Sequence, residues 1–306
     1  MLDDDHPNSS MYFMGGHGWF CLSVALHLST MALDFSQPFT ERTPRIVNAA
    51  KLHRAAARRK AKQFLAEGEN AVEAAVATGA ATDVFVTERA AQRFGEILTT
   101  AEYMNVYTHA IDEKAAEHLA DTVTTTGIFA LCKPVTWSTK QALKGFNDFW
   151  AVGVDTADPG NAGTLIRICD AMGADGVIFA GDTVDPQAPK VVRSTAGSLF
   201  HTPVVRDRDV KAVIAQLKDK GLKIVATVVD GDVALDYAGE MLSQPHAWLF
   251  GNEAHGLDPE IAALADYKVT IPIQGSAESL NLATAAAMCM WESSKAQYVV
   301  DEQTAN

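Results

Sequence analysis

Short, continuously apolar runs alternate with helical segments through the second half of the chain. Six such runs occur at residues 149–155, 176–181, 202–206, 223–229, 247–252 and 268–273. Because the strands of a parallel sheet are covered on both faces, they are apolar throughout rather than at every second position. The pattern therefore predicts an α/β domain at residues 149–300, built on an open, mostly parallel sheet of about six strands.

The first half of the chain has a different rhythm, in which helical stretches surround fewer apolar runs. Residues 45–79 are rich in alanine and other strong helix formers, so we expect helices separated at Gly68 and ended at Gly79. Further on, strands and helices are predicted in alternation at residues 82–88, 89–101, 104–107, 112–121 and 126–133. The rhythm predicts a small α/β/α domain at residues 45–132.

Three segments fall outside these two domains. Residues 1–44 are interpreted as a leader, either disordered or the product of an over-extended gene start with Met31 as the initiator. The apolar stretch inside this leader has no basic flank and contains several glycines, which argues against a signal peptide or a membrane anchor. Residues 133–148 are predicted to be a linker, and residues 301–306 are predicted to be a tail.

Composition narrows the class of protein. Of the 306 residues, 48% are hydrophobic and 21% are charged, which is ordinary for a globular protein. The four cysteines lie far apart and form no C-x-x-C pair. That spacing favours free thiols in a reducing compartment, here the cytoplasm, and it predicts no metal site.

One segment opposes the overall charge. The net charge of the chain is −13, yet the stretch from residue 42 to 62 contains no Asp or Glu. Its eight basic residues are Arg42, Arg45, Lys51, Arg54, Arg58, Arg59, Lys60 and Lys62. Such a segment is either a solvated basic helix face or a patch that binds RNA phosphates, and in an otherwise acidic chain we favour the patch.

The first candidate loop follows the strand predicted at residues 149–155. In the plainest interpretation Asn161 is the N-cap of the next helix, but that leaves Arg167 unexplained. Arg167 is expected on a face that Gly163 leaves open, where a guanidinium can hold a phosphate through two hydrogen bonds. A nicotinamide-dependent oxidoreductase is not supported, because no G-x-G-x-x-G follows the strand.

Two further loops lie at predicted strand ends, where open α/β sheets bind their ligands. Gly251 and Gly256 bracket a tight turn that contains Glu253, and such glycines let a backbone approach a ligand closely. Ser279 and Asn281 precede an alanine-rich helix, and either one can act as its N-cap. Taken singly, each loop can also be a simple turn.

Taken together, the loops resemble the signature motifs of the SpoU (TrmH-like) RNA ribose methyltransferases of the SPOUT superfamily. The motifs read N-x-G-x-x-x-R at 161–167, L-F-G-N-E-x-x-G at 249–256 and I-P-I-x-G-x-x-x-S-L-N-L-A at 271–283. The segment KVVRSTAGSLFHTPVV at 190–205 is similar to a further stretch of this family, so the resemblance covers about residues 148–295. Residues 45–130 are more loosely similar to the L30e-like substrate-binding domain often fused ahead of this catalytic domain.

This resemblance implies a fold and a cofactor. The C-terminal domain is expected to contain a deep trefoil knot, to form a homodimer, and to bind S-adenosylmethionine in the crevice of the knot without a metal. Carried over position by position, the expected cofactor contacts are Thr227, Leu249, Phe250, Gly251, Gly256, Ile271, Ile273 and Leu280.

The resemblance also implies an activity, the methylation of a ribose 2′-hydroxyl in structured RNA. The expected active-site residues are Arg167, Asn161, Glu253, Ser279 and Asn281. A guanidinium with a pKa above about 12 is a poor base, so we expect Arg167 to grip a phosphate and to be oriented by Glu253 and Asn161. RNA contacts are expected at Arg54, Arg58, Arg59, Lys60, Lys62 and Arg193. An L30e-like domain favours 23S ribosomal RNA; transfer RNA, or a non-catalytic RNA-binding role, is the alternative.

Overall fold

Two β-sheets organise the protein, and the computed structural model describes residues 33–145 and 148–304. The first sheet has the order β1-β4-β2-β3, with β2 and β3 parallel and the other pairs antiparallel. Its strands are β1 (Phe64–Glu67), β2 (Ala81–Val86), β3 (Tyr107–Ala110) and β4 (Ile128–Cys132). The accompanying helices are α1 (Pro44–Ala50), α2 (Ala55–Ala61), α3 (Glu69–Ala77), α4 (Glu88–Arg93), α5 (Gly95–Tyr103) and α6 (Glu113–Leu119), with a 3-10 turn at Lys51–His53.

Strand β1 interrupts a stretch for which composition predicts only helix. It pairs antiparallel with β4, and the side chain of Phe64 is fully buried. Tertiary pairing here overrides the helix propensity of residues 45–79. The expectation for Gly79 is confirmed, because this residue follows α3 with a φ of +71°, a conformation that favours glycine.

The second sheet contains the six predicted strands and two short strands at its edges. The order is β10-β12-β9-β11-β6-β7-β8-β5, and every neighbouring pair is parallel. Its strands are β5 (Thr136–Trp137), β6 (Phe149–Val154), β7 (Gly176–Ala180), β8 (Val204–Asp207), β9 (Lys223–Thr227), β10 (Val233–Ala234), β11 (His246–Phe250) and β12 (Tyr267–Thr270).

Helices cover both faces of this sheet. On β6, the side chain of Phe149 belongs to one apolar cluster and that of Trp150 to another on the opposite face. The helices are α7 (Thr139–Ala142), α8 (Pro159–Met172), α9 (Pro189–Ser194), α10 (Val210–Asp219), α11 (Gly239–Leu242), α12 (Pro259–Ala262) and α13 (Leu282–Thr304), with 3-10 turns at Ser198–Phe200 and Leu235–Tyr237. The predicted α/β class with a mostly parallel sheet is therefore confirmed. The trefoil knot stays a prediction.

The segment predicted as a linker is docked on the second sheet. Strand β5 pairs with β8, and Thr139 Oγ1 donates a hydrogen bond to Asp207 Oδ2 at 2.8 Å. The side chain of Leu143 is only 1% exposed. Residues 133–145 therefore have a fixed structure, which the polar composition of the segment did not indicate.

The end of the predicted leader also belongs to the fold. The amide of Phe39 donates a hydrogen bond to the Ala110 carbonyl at 2.8 Å, and the Phe39 ring stacks on His109. This contact extends the edge of the first sheet, so residues 33–43 are not a disordered leader. The predictions for residues 1–32, including Met31 as initiator, lie outside the described residues. The domain boundaries themselves stay predictions.

Two further predictions from the sequence concern membrane-spanning segments and the state of the cysteines. Cys132, Cys169 and Cys289 are buried free thiols, while Cys21 falls outside the described residues. Among residues 33–145 and 148–304, no helix combines the length and the apolar character required to cross a membrane.

Candidate functional site

A cleft opens at the carboxyl edge of the second sheet. Because the strands are parallel, the loops that follow β9, β11 and β12 meet at this edge, and with the start of α13 they enclose about 660 Å³. This volume lies in the range of roughly 300–1,000 Å³ that is typical of small-molecule sites. Most of the predicted cofactor and active-site residues line it: Thr227, Phe250, Gly251, Glu253, Gly256, Ile271, Ile273, Ser279 and Leu280.

Leu249 is the predicted cofactor residue that the structure places elsewhere. Its side chain is fully buried in the apolar cluster on the opposite face of the sheet from Phe250, as the alternation of side chains along a strand requires. Only its carbonyl supports the cleft, by accepting a hydrogen bond from Thr227 Oγ1 at 2.9 Å. The side chain of Leu249 therefore does not line the cleft, and its place near the cofactor stays a prediction that only its main chain could fulfil.

The turn after β11 closes directly over Gly251. The Asn252 amide donates to the Gly256 carbonyl at 3.0 Å, and the Gly256 amide donates to the Asn252 carbonyl at 2.9 Å. A Cβ atom on Gly251 would lie 2.6 Å from the Gly256 carbonyl oxygen, so the backbone of the turn itself requires glycine at this position. Asn252, which the sequence reasoning did not single out, donates its side-chain amide to the Asp155 carbonyl at 2.7 Å and so joins this turn to the loop after β6.

Three of the predicted active-site residues form one hydrogen-bonded relay. Asn281 caps α13, because its Oδ1 accepts hydrogen bonds from the amides of Ala283 and Thr284. Its Nδ2 donates to Asn161 Oδ1 at 3.0 Å, and Asn161 Nδ2 donates to Glu253 Oε1 at 3.0 Å. Since the helix amides fix the Asn281 oxygen as an acceptor, the orientation of every amide in the relay follows. The relay connects all three motifs.

Glu253 is the acceptor at the end of this relay. Its carboxylate also accepts hydrogen bonds from the amides of Ala157 and Asp158. Partial burial acts to raise the pKa of Glu253, but the hydrogen bonds from Asn161 and the backbone amides outweigh it and hold that pKa below its usual value. Glu253 is therefore an ionised group that ties two loops together.

Arg167 stands apart from the relay. It is exposed on α8 and is not part of the cleft wall, and within the described residues it makes no hydrogen bond or ion pair. The expected orientation of Arg167 by Glu253 and Asn161 is thus not observed. Nor does Gly163 leave a face open, because a Cβ there would lie 2.7 Å from the Val191 carbonyl oxygen of α9.

The N-cap of α8 also differs from the sequence interpretation. Asp158 Oδ1 accepts a hydrogen bond from the Asn161 amide at 2.8 Å, so Asp158 is the cap. The side chain of Asn161, relieved of capping, is free to bridge Glu253 and Asn281.

The structure divides the predicted RNA contacts into two groups. Arg58 is only 6% exposed and is paired with Asp185, while Arg193 is paired with Asp121 at 2.8 Å. These two arginines already have protein partners, so they do not belong to a free basic surface. The exposed remainder, here called the basic patch, consists of Arg54, Arg59, Lys60 and Lys62.

Comparison with known families and proteins gives a consistent picture. Residues 148–291 match the SpoU rRNA Methylase family, and residues 43–130 match the MRM3-like substrate binding domain. The chain is 33% identical over 243 residues to a 23S rRNA (guanosine(2553)-2′-O)-methyltransferase of Bacillus subtilis (strain 168), which covers 79% of this chain and 92% of that relative. It is 41% identical over 149 residues to a 23S rRNA (uridine(2479)-2′-O)-methyltransferase of Streptomyces viridochromogenes, covering 47% and 52% of the two chains.

Solved structures show the same likeness. The SpoU methyltransferase AviRb from Streptomyces viridochromogenes, in complex with the cofactor AdoMet, superposes with a TM-score of 0.73 at 29% identity, covering 84% of this chain and 100% of that chain. An AdoMet-bound rRNA methyltransferase from Sinorhizobium meliloti superposes with a TM-score of 0.73 at 25% identity, covering 86% and 96%. Because the similarity in sequence extends over 92% of a relative and the fold agrees with it, the chain belongs to the SpoU rRNA methylase family.

Proposed function

We propose that this protein transfers a methyl group from S-adenosylmethionine to a ribose 2′-hydroxyl of 23S ribosomal RNA. The relay of Asn281, Asn161 and Glu253 carries the proposal, because it binds the three family motifs into one cleft edge. The two curated relatives described above are both named as 23S rRNA 2′-O-methyltransferases, which supports this RNA as the substrate. Such a substrate implies the cytoplasm as the place of action.

The cleft fits S-adenosylmethionine in size and chemistry. Its wall combines aliphatic side chains, such as Ile271 and Leu280, with a glycine turn that brings main-chain groups to the surface. In this proposal Thr227, Phe250, Gly251, Gly256, Ile271, Ile273 and Leu280 hold the cofactor. When bound, the cofactor supplies an activated methyl group on a sulfonium.

The remaining polar residues orient the reaction. Asn161, Glu253 and Asn281 hold the three loops in register, and Ser279 offers a hydroxyl in the cleft wall. Arg167 has no protein partner among the described residues, so its guanidinium can grip the phosphate beside the target ribose and stabilise the developing alkoxide.

The proposal includes a homodimer. Met288 and Trp291 are 42% and 51% exposed on α13, a helix that packs against α8. Large apolar side chains on an outer helix face favour a protein interface. A twin subunit on this face would lie close to α8, the helix that carries Arg167, and would let RNA held by one subunit meet the cleft of the other.

RNA modification mapping tests the activity. Ribosomal RNA from cells that lack the gene is incubated with the purified protein and S-adenosylmethionine, and ribose methylation is then mapped across 23S rRNA and transfer RNA. We expect one newly methylated ribose in 23S rRNA. Methylation of transfer RNA alone, or of neither RNA, contradicts the proposal.

Calorimetry tests the cofactor site. Gly251→Ala introduces a Cβ that the turn cannot accommodate, so S-adenosylmethionine binding should be lost. Gly275→Ala is the matched control, because a Cβ at Gly275 meets nothing within 4 Å. Equal affinity in the two variants places the cofactor outside this cleft.

A further inference from the structure

An inward-pointing arginine on α2 joins the two halves of the protein, which are the part that contains the first sheet and the part that contains the second sheet. Arg58 donates from Nε and Nη2 to Asp185 Oδ2 at 3.0 and 2.6 Å, across the two sheets. Its Nη1 donates to the carbonyls of Leu52 and His53, each at 2.9 Å. Every donor nitrogen of this guanidinium is therefore used inside the protein. The arrangement fixes both the distance and the angle of α2 relative to the loop that contains Asp185.

A second ion pair and close packing fix the same junction. Arg193 on α9 donates to Asp121 Oδ2 at 2.8 Å, in the loop after α6. The rings of Phe64 and Phe200 stack with centroids 5.9 Å apart. At Gly197 the two backbones are so close that a Cβ would lie 2.9 Å from the Asn70 carbonyl oxygen. Contacts of this kind leave little room for the two halves to rotate against each other.

The Asp185 loop is also connected to the cleft. The amide of Val184 donates to the Thr156 carbonyl at 2.9 Å, in the loop after β6. The next two residues of that loop, Ala157 and Asp158, donate their amides to Glu253. A continuous series of bonds thus leads from α2, by way of Arg58 and Asp185, to the edge of the cleft.

The helix at the start of this series also carries the basic patch. Arg59 and Lys60 are exposed on α2, and Arg54 and Lys62 flank it. We propose, on the basis of the function proposed above, that the Arg58–Asp185 ion pair is a positioning device: it fixes the basic patch relative to the cleft and so determines which ribose of the bound RNA is methylated. Neither residue of the pair touches RNA in this proposal; both act through the patch and the cleft that they connect.

Group transfer is sensitive to the position of the reacting groups. A patch on a mobile domain would bind RNA equally well but would present several neighbouring riboses to the cleft in turn. A patch held at a fixed distance from the cleft presents a single ribose to it. Misplacement by about 1 Å can lower the rate about a hundredfold, so a loosened junction should reduce turnover more than binding.

The test uses the full chain with Asp185→Asn, which keeps the shape of the side chain and removes its charge. The values of kcat and KM are measured on 23S rRNA below the unfolding temperature of the variant, and the methylated riboses are mapped. We expect kcat to fall about tenfold or more, KM to change less than about twofold, and methyl groups to appear on neighbouring riboses. Lys211→Gln, which removes the exposed ion pair to Glu260 within the second half, is the matched control and should change none of these.

The measurements on these variants decide whether the Arg58–Asp185 ion pair has a positioning role. A folded Asp185→Asn variant with normal kcat and a single methylated ribose overturns the positioning role, even if its unfolding temperature is lower. If this variant does not fold, Arg193→Gln replaces it, because it breaks a less buried ion pair of the same junction. The value of kcat and the map of methylated riboses are then measured on that variant. A wild-type chain that leaves 23S rRNA unmethylated overturns the proposed function, and this inference with it.

Discussion

The junction between the two sheets and the outer face of α8 use the same residue type in opposite ways. At the junction, Arg58 and Arg193 are paired with carboxylates of the other half. On α8, outside the cleft wall, Arg167 is exposed and unpaired within the described residues. An arginine whose donors are used internally contributes to stability and geometry, whereas an unpaired one is available to a phosphate. Substitutions in the two regions should therefore change different measurements.

The largest effect is expected at the junction, from a comparison of two adjacent arginines. Arg58→Gln leaves the Asp185 carboxylate without its partner, and breaking such a buried pair typically costs about 3–5 kcal/mol of unfolding free energy. Arg59→Gln alters an exposed side chain next to it and should cost less than about 0.5 kcal/mol. Urea unfolding of both variants measures the difference. Equal unfolding free energies would mean that the Arg58–Asp185 ion pair contributes no more to stability than an exposed surface charge does.

These two arginines also show what the sequence could not indicate. The run from residue 42 to 62 predicts a basic surface, but the partner of Arg58 lies 127 residues away, and no local pattern announces it. Strand β1 was missed for a similar reason, because its pairing with β4 is non-local while its composition favours helix.

The cleft was more predictable than the junction. The continuously apolar runs predict parallel strands, and parallel strands bring their following loops to one edge. The motifs therefore lie at the edge where the structure has its cleft, and they include many of the residues that line it. The direct bonds of Asn161 to Glu253 and Asn281 were not predicted, because their geometry depends on Asp158 taking the place of Asn161 as the helix cap.

A buried histidine, His246, is a second internal polar group whose bonds are used within the protein. His246 Nε2 accepts a hydrogen bond from Ser293 Oγ at 2.7 Å, and that oxygen accepts one from Trp248 Nε1, which ties α13 to β11. Burial lowers the pKa of His246 from 6.5 to about 4, so the unfolded chain takes up the proton first. Stability should be complete above pH 6.5 and should fall by about 3 kcal/mol as the pH drops to 4.

Urea unfolding between pH 7 and 4.5 measures this loss, and His246→Gln should flatten it, because glutamine does not titrate. The same variant controls for the carboxyl groups whose pKa values are shifted, because Asp83 and Glu253 (lowered) and Asp175 (raised) are present in both proteins. A wild-type stability that is constant across this window would contradict a neutral, buried His246.

A substitution at Arg167 should change turnover rather than stability. Arg167→Ala should lower methyl transfer about a hundredfold, close to 2.7 kcal/mol of activation free energy, because a lost charge-stabilising contact typically costs this much. Unfolding free energy and S-adenosylmethionine affinity should remain unchanged, since Arg167 has no partner within the described residues and does not line the cleft. Normal turnover in this variant would remove Arg167 from the mechanism and restrict the chemistry to the residues of the relay.

The smallest effect is expected at the basic patch, where each charge contributes separately to RNA affinity. Replacing Arg59, Lys60 and Lys62 with glutamine, while leaving Arg58 intact, should weaken RNA binding without changing stability or cofactor affinity. The slope of log affinity against log salt should fall by about 0.9 for each lost contact to a duplex, and by about 0.7 for each lost contact to a single strand.

A matched triple variant separates a local patch from overall charge. Lys211, Lys218 and Lys220 are exposed on or next to α10, and their replacement with glutamine makes the chain equally more negative. If long-range repulsion from a chain of net charge −13 governs binding, both triple variants should lose the same affinity. If phosphates contact the patch itself, only the first variant should show the smaller salt slope, because only direct contacts release counterions from the RNA. Equal slopes in both variants and the wild type would transfer RNA recognition from the first sheet to the surface around Arg167.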